Sequence, residues 1–160
     1  MVIIEKKNMA ILHNEMNWQE AIQQVGKLLL DAGSIEHEYI QNMIDSVNEL
    51  GPYIVIAPHI AIAHARPGKA VLQNDIALVV LKKPVAFHSK NDPVMLLFGL
   101  CAIEPNQHIH ALTRIAQLLS DPSAIDEIID ATDVGQLFAL IHEGSNDDAS
   151  SVITKEGGMI

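Results

Sequence analysis

The sequence predicts an α/β fold: a three-layer-like sandwich in which a central mixed β-sheet is flanked by helices. Three observations carry that expectation. Two helical segments with cap signals come first, and apolar runs of strand length bounded by Gly, Pro and Asn-Asp-Pro fill the middle. Three more capped helical segments follow. At 160 residues the chain suits one domain with a single core. That domain is expected over residues 1–144. From Gly144 the composition shifts to Ser, Asp, Gly, Lys and Glu, which predicts a mobile tail over residues 145–160.

Residues 1–14 mix apolar and polar positions and suit an edge strand or a short docking segment. The first firm element runs from Asn17 to about Ala32. Asn17 caps it, Glu20 completes a capping box, and Gly33 supplies the stop. A second helix is predicted from Ser34, read as its cap, to about Leu50, with Tyr39, Ile40, Met43, Ile44 and Val47 in one apolar stripe. Gly51-Pro52 ends it. The stretch Gly51–Lys69 then reads as buried strand, a turn at Pro58, and more strand, with His59 and His64 set among Ile, Val and Ala.

Asp75–Leu81 is a continuous apolar run of strand length, ended by Lys82-Lys83-Pro84. Val85–Lys90 is expected as a short edge segment with His88 exposed, Asn91-Asp92-Pro93 as a turn, and Val94–Ala102 as another buried strand. A third helix is predicted from Pro105 or Asn106 to Leu119, a fourth after Asp121-Pro122, and a last one capped by Asp133 with Gln136, reaching about Ile141.

Composition removes several function classes. A net charge of −10 argues against nucleic acid, whose phosphates demand clustered Lys and Arg. No apolar run reaches the ~18–20 residues that cross a bilayer, and the start lacks the basic n-region of a signal peptide. A reducing, cytoplasmic setting is therefore expected, without membrane insertion. The single cysteine, Cys101, lies inside an apolar strand and reads as a small buried hydrophobe.

The histidines carry the chemistry. A zinc site needs three or four converging ligands, and no His-Glu-x-x-His helix exists. His59 and His64 would point to opposite faces of a continuous strand. A hydrolase elbow Gly-x-Ser-x-Gly is missing, and so is a phosphate-cradling P-loop. A phosphoryl-accepting histidine fits better, because positioning and charge stabilisation carry most of that catalysis. His64 at a strand end, His108 in the first turn of a helix and Arg66 nearby would suffice. The helix dipole disfavours an imidazolium, so His108 is read as neutral and donating one N–H. His110, two residues on, faces away from it.

The run Ile60-Ala61-Ile62-Ala63-His64-Ala65-Arg66-Pro67, preceded by Gly-Pro-Tyr and Ala-Pro, resembles the active-site segment of enzyme IIA components of the bacterial sugar phosphotransferase system. The likeness is to the mannitol–fructose superfamily and its ascorbate-type branch. Asn91-Asp92-Pro93-Val94 and Glu104-Pro105-Asn106-Gln107-His108 resemble later motifs of that branch, so the similarity covers roughly residues 15–142.

The resemblance implies the mannitol/fructose-type fold and a phosphocarrier function. His64 would be phosphorylated on Nε2, and His108 would steady the phosphoryl group. His59 would be a neighbour on the phosphate side. Mannitol-type proteins carry an Arg near the end of the second helix, where this chain has Ser46, so Arg66 is the candidate for that charge. The implied partners are HPr as donor and the cognate enzyme IIB as acceptor, which feeds a membrane enzyme IIC in ascorbate- or pentitol-like uptake. No metal or organic cofactor is implied, and a homodimer stays open. The alternatives are a regulatory binding module of the same fold, controlled by His64 phosphorylation, and a histidine-metal enzyme.

Overall fold

Strand side chains alternate between two faces, and here each face has its own set of helices. The computed structural model describes residues 4–142. Its strands are β1 (Met9–Leu12), β2 (Val55–Ala57), β3 (Ile60–Ala63), β4 (Asp75–Val85) and β5 (Val94–Cys101). They form one sheet in the order β1-β4-β5-β3-β2. β1 is parallel to β4 and β3 to β5, whereas β4–β5 and β2–β3 are antiparallel. The helices are α1 (Trp18–Asp31), α2 (Glu38–Leu50), α3 (Pro105–Leu118) and α4 (Pro122–Ile129). Residues 134–142 are also helical.

Ala61, Ala63, Val79 and Leu97 pack with Val25, Leu29, Met43 and Val47 of α1 and α2. Ile60, Ile62, Leu78, Leu96, Phe98 and Leu100 pack with Ile115, Leu118, Ile128 and Leu137 from the C-terminal helices. Small residues thus line β3 under α1 and α2, and large ones line it on the other side. Two glycines allow the close packing. A Cβ on Gly26 would meet Ile40 Cγ1 at 2.7 Å, and one on Gly99 would meet Val25 Cγ2 at 2.9 Å. α1 therefore lies unusually near both α2 and β5.

The caps of α1 are as the sequence predicts. Asn17 Oδ1 accepts from the Glu20 N–H at 2.8 Å, and Glu20 Oε1 accepts from the Asn17 N–H at 2.9 Å. At the other end the N–H of Ser34 reaches Leu29 O and that of Gly33 reaches Leu30 O. Gly33 holds φ at 77° between them, which is a Schellman closure. The expected edge strand near the N-terminus is β1, and Asp133 Oδ1 accepts from the Gln136 N–H at 2.8 Å as a cap. The turn at Pro58 separates β2 from β3.

Two boundaries differ from expectation. Ser34 does not cap α2, which starts at Glu38 after His37. Ser34 is buried, donates to an Asp75 carboxylate oxygen and accepts from Gln73 Nε2. Its carbonyl takes the N–H groups of Leu72 and Gln73, and Ile35 bridges Val71. Long-range pairing has claimed the residue that local pattern assigned to the helix. Lys82-Lys83-Pro84 does not end β4 either. The strand continues to Val85, opposite Val94, across a register shift that begins after Val80. Such an irregularity tolerates a proline that cannot donate to the ladder. The edge segment expected at Val85–Lys90 is instead a loop past Val85, gathered on the Asp92 carboxylate, which accepts from the N–H groups of Phe87, His88 and Ser89. His88 is exposed there. The tail expected over residues 145–160 lies outside the described residues.

Replacing Gly99 by Ala would force the stiff, β-branched Val25 to move, and should cost about 1–3 kcal/mol of folding stability. Urea denaturation of G99A reads this directly; an unchanged midpoint would mean that α1 does not press on β5.

Candidate functional site

Even-numbered residues of β3 point toward the α3 side and odd-numbered ones toward α2. His64 is the first residue past β3, so alternation sends its ring to the α3 side and the side chain of Ala65 toward α2. α3 begins with Pro105 at its first turn, after a Glu104 whose N–H donates to Gln107 Oε1 at 3.3 Å. One turn further, His108 meets His64: the ring centroids are 4.9 Å apart and the planes 61° from parallel. Tyr53 presents its ring edge-on to His64 at 5.4 Å from the other side.

The His64 tautomer follows from one contact. Nδ1 lies 2.8 Å from the Ile62 carbonyl oxygen, which can only accept, so Nδ1 carries the hydrogen and donates it. The lone pair is then on Nε2. Nε2 has no hydrogen-bond partner among the described residues, and it is not sealed from solvent. His108 Nε2 is different, being buried and without a partner among the described residues. The main-chain N–H of His108 is already spent on Glu104 O, so the imidazole is what His108 has free at this helix start.

Burial lowers the pKa of His64, against a smaller upward pull from its hydrogen bond to Ile62. Burial lowers His108 too, and the nearby His64 adds to that shift. Both rings are therefore neutral at pH 7. Arg66 is exposed, two residues beyond His64, and its guanidinium makes no hydrogen bond or ion pair among the described residues.

His59 is not brought to this pair. It sits in the turn before β3 with φ at 71°, on the order of 16 Å of strand rise from His64. Its Nδ1 donates to the Pro93 carbonyl oxygen at 2.8 Å, and its own carbonyl takes the N–H groups of Met95 and Leu96. These bonds pin the β2–β3 turn to the start of β5. His110 lines a separate cleft of about 880 Å³ beside Asn74, Asp75, Asn106 and Gln107, which neither His64 nor His108 borders. Cys101 is buried, and desolvation with the Asp75 carboxylate pushes its thiol up to about 12. A thiol held protonated in this way is poorly suited to act as a nucleophile.

Two side chains escaped the sequence reading, Tyr53 and Tyr39. Tyr39 reads as one more member of an apolar stripe, but a buried tyrosine brings a hydroxyl that must find partners. That hydroxyl accepts from the Ala65 N–H at 3.0 Å and donates to the Leu100 carbonyl at 2.8 Å. Among the described residues no cluster of three His, Cys, Asp or Glu is placed to hold a metal ion, and no helix is long and apolar enough to cross a membrane.

Each ring binds fewer protons folded than unfolded, so stability should rise with pH through the histidine range and be lost as pH falls below about 6.5. Ring ¹⁵N–¹H titration by NMR should put both midpoints below that value. In His64→Ala, the His108 midpoint should move back up toward its ordinary value. A His64 midpoint at or above 6.5 would contradict the neutral pair.

The sequence profile of the family described as "Phosphoenolpyruvate-dependent sugar phosphotransferase system, EIIA 2" matches residues 2–144. A mannitol-specific cryptic phosphotransferase enzyme IIA component of Escherichia coli is 33% identical over 139 residues, covering 87% of this chain and 95% of its own. The solution structure of an E. coli protein of that name superposes with a TM-score of 0.81 over 89% of this chain and 99% of its own, at 32% identity. An ascorbate-specific EIIA component of E. coli is 36% identical over 128 residues, 79% of this chain and 83% of its own. The E. coli mannitol enzyme IIA, solved in complex with phosphorylated enzyme IIB, matches with a TM-score of 0.77 and 26% identity, covering 88% of this chain and 97% of its own.

Proposed function

The chain belongs to the EIIA 2 family of the phosphoenolpyruvate-dependent sugar phosphotransferase system, and on that premise we propose that His64 carries the phosphoryl group on Nε2. The observation that supports this most is the Nδ1–H···O bond to Ile62, which leaves Nε2 as the basic, accessible nitrogen. Its depressed pKa keeps the lone pair free at neutral pH.

The donor is a phosphohistidine on HPr. The His64 Nε2 lone pair attacks phosphorus in line with the departing nitrogen. An N–P bond forms on His64 as the donor's N–P bond breaks, and the electron pair of that bond returns to the donor imidazole. The His64 ring gains positive charge in this step, and its Nδ1–H bond to Ile62 strengthens to match. In this scheme His108 meets a phosphoryl oxygen through Nε2, which carries the ring hydrogen there and has no other partner among the described residues. Being neutral, it donates without pairing with the incoming dianion and trapping it. Arg66 supplies the fixed positive charge from the loop. His59 has no part in this scheme.

Discharge runs the same chemistry in reverse. A cysteine thiolate of the cognate enzyme IIB attacks phosphorus, and the electron pair of the N–P bond returns to His64 Nε2. The complex of a related enzyme IIA with phosphorylated enzyme IIB supports that partner. Through enzyme IIB the phosphoryl group serves a membrane enzyme IIC. The protein works in the cytoplasm, and relatives of both ascorbate and mannitol specificity support a substrate of the ascorbate or polyol kind. Tyr53 beside His64 and Ile109 beside His108 are 43% and 65% exposed. They give both partners a shallow apolar rim of the kind that suits small, transient contacts. Residues 1–144 act as one domain.

Intact-protein mass after incubation with phosphoenolpyruvate, enzyme I and HPr tests this. Wild type should gain one acid-labile phosphoryl group and pass it to an enzyme IIB. His64→Ala should gain none, and His108→Ala should gain it about a hundredfold more slowly, the usual cost of a lost transition-state donor. An unmodified wild type with competent upstream proteins would sink the reading. An unchanged rate in Arg66→Ala would remove Arg66 from it.

A further inference from the structure

β3 and β5 run parallel, with Ala63 opposite Gly99 as their last pair. In this register the β3 residues that face β5 are the odd-numbered ones: the His59 carbonyl accepts from Leu96, whereas the N–H of Ile62 turns away to Ile54 O on the other side. One more step of the ladder would join the Ala65 N–H directly to the Leu100 carbonyl. That bond is not made. The Tyr39 hydroxyl stands between the two groups, accepting from Ala65 N–H at 3.0 Å and donating to Leu100 O at 2.8 Å. Tyr39 is 1% exposed, and burial holds its phenol well above the ordinary range. It stays a neutral donor at every working pH.

We propose that Tyr39 is a positioning residue for phosphoryl transfer: its hydroxyl wedges β3 and β5 apart just beyond their last pair, which frees His64 to fold its ring back onto the Ile62 carbonyl. The inference rests on His64 being the acceptor. Without the wedge the ladder closes at Ala65 and draws residues 64–66 into extended backbone along β5. The Nδ1–H bond to Ile62 then loses its geometry, and the two His64 tautomers mix. The ring of Tyr39 fills the core whether or not it carries oxygen, so the hydroxyl itself is what the site requires.

Tyr39→Phe tests this with ring ¹⁵N shifts of His64 alongside transfer kinetics from phospho-HPr. The expected result is a folded variant with mixed His64 tautomers. Its kcat should be about tenfold lower, the rate equivalent of one hydrogen bond, with KM for phospho-HPr unchanged. Val80→Ala, a buried change on β4 on the face opposite Tyr39 and level with Ile60, at the other end of β3 from His64, serves as a stability control and should keep the single tautomer. A single Nδ1–H tautomer in Tyr39→Phe, or the same mixing in Val80→Ala, would overturn the proposal. Should Tyr39→Phe fail to fold, the unsubstituted protein still decides: the wedge requires a slowly exchanging Tyr39 hydroxyl proton close to a protected Ala65 amide, and a freely exchanging Ala65 amide refutes it. These spectra need no turnover. A wild type that takes up no phosphoryl group would therefore count against the phosphocarrier reading, not against the wedge.

Discussion

The end of β3 has to satisfy two neighbours at once. Up to Ala63 the strand is buried on both faces, small side chains against α1 and α2 and isoleucines against the C-terminal helices. One residue later the chain must leave the sheet without stranding buried main-chain groups, each of which would cost roughly 1–3 kcal/mol unpaired. Side-chain bonds meet that demand. The His64 imidazole takes up the Ile62 carbonyl, and the Tyr39 hydroxyl takes up both the Ala65 N–H and the Leu100 carbonyl. Because alternation sends residue 64 toward α3, the same exit that closes the strand also aims an imidazole at His108. Gly26 and Gly99 belong to this constraint, since they let α1 approach α2 and β5 closely on the Tyr39 side of the sheet.

Electrostatics at the pair follows from its depth. Neither ring has a carboxylate partner among the described residues, so burial is the main influence on both and favours the uncharged form. Two neutral imidazoles 4.9 Å apart do not repel, and one of them can be a nucleophile while the other is a donor. A carboxylate within reach would have raised both pKa values and offered repulsion to a phosphoryl group. Positive charge lies outside the pair, on Arg66, which is exposed and makes no ion pair among the described residues.

Much of this was legible in the chain. The Asn17–Glu20 box, the Gly33 stop, the Asp121-Pro122 start and the turn at Pro58 are local events, decided within four residues of sequence, and they stand where local rules put them. The boundaries that moved are those decided by distant partners. Ser34 looks like a cap until Asp75 and Gln73, about forty residues away in the chain, compete for its hydroxyl. Lys82-Lys83-Pro84 looks like a stop until Val94 holds Val85 in register. His59 and His64 look equivalent in sequence, two imidazoles in one apolar run, and they separate because a turn and a strand put them at opposite ends of β3.

By itself the sequence determined the order of elements, the caps other than that of α2, the acidic surface and the motif around His64, because each depends on neighbours along the chain. Which nitrogen of His64 is basic, which second histidine reaches it and what bridges the strand ends were decided only by the tertiary structure. Those answers rest on a carbonyl, a helix start and a hydroxyl that folding brings together from three separate segments, and no spacing in the chain encodes distances across a sheet.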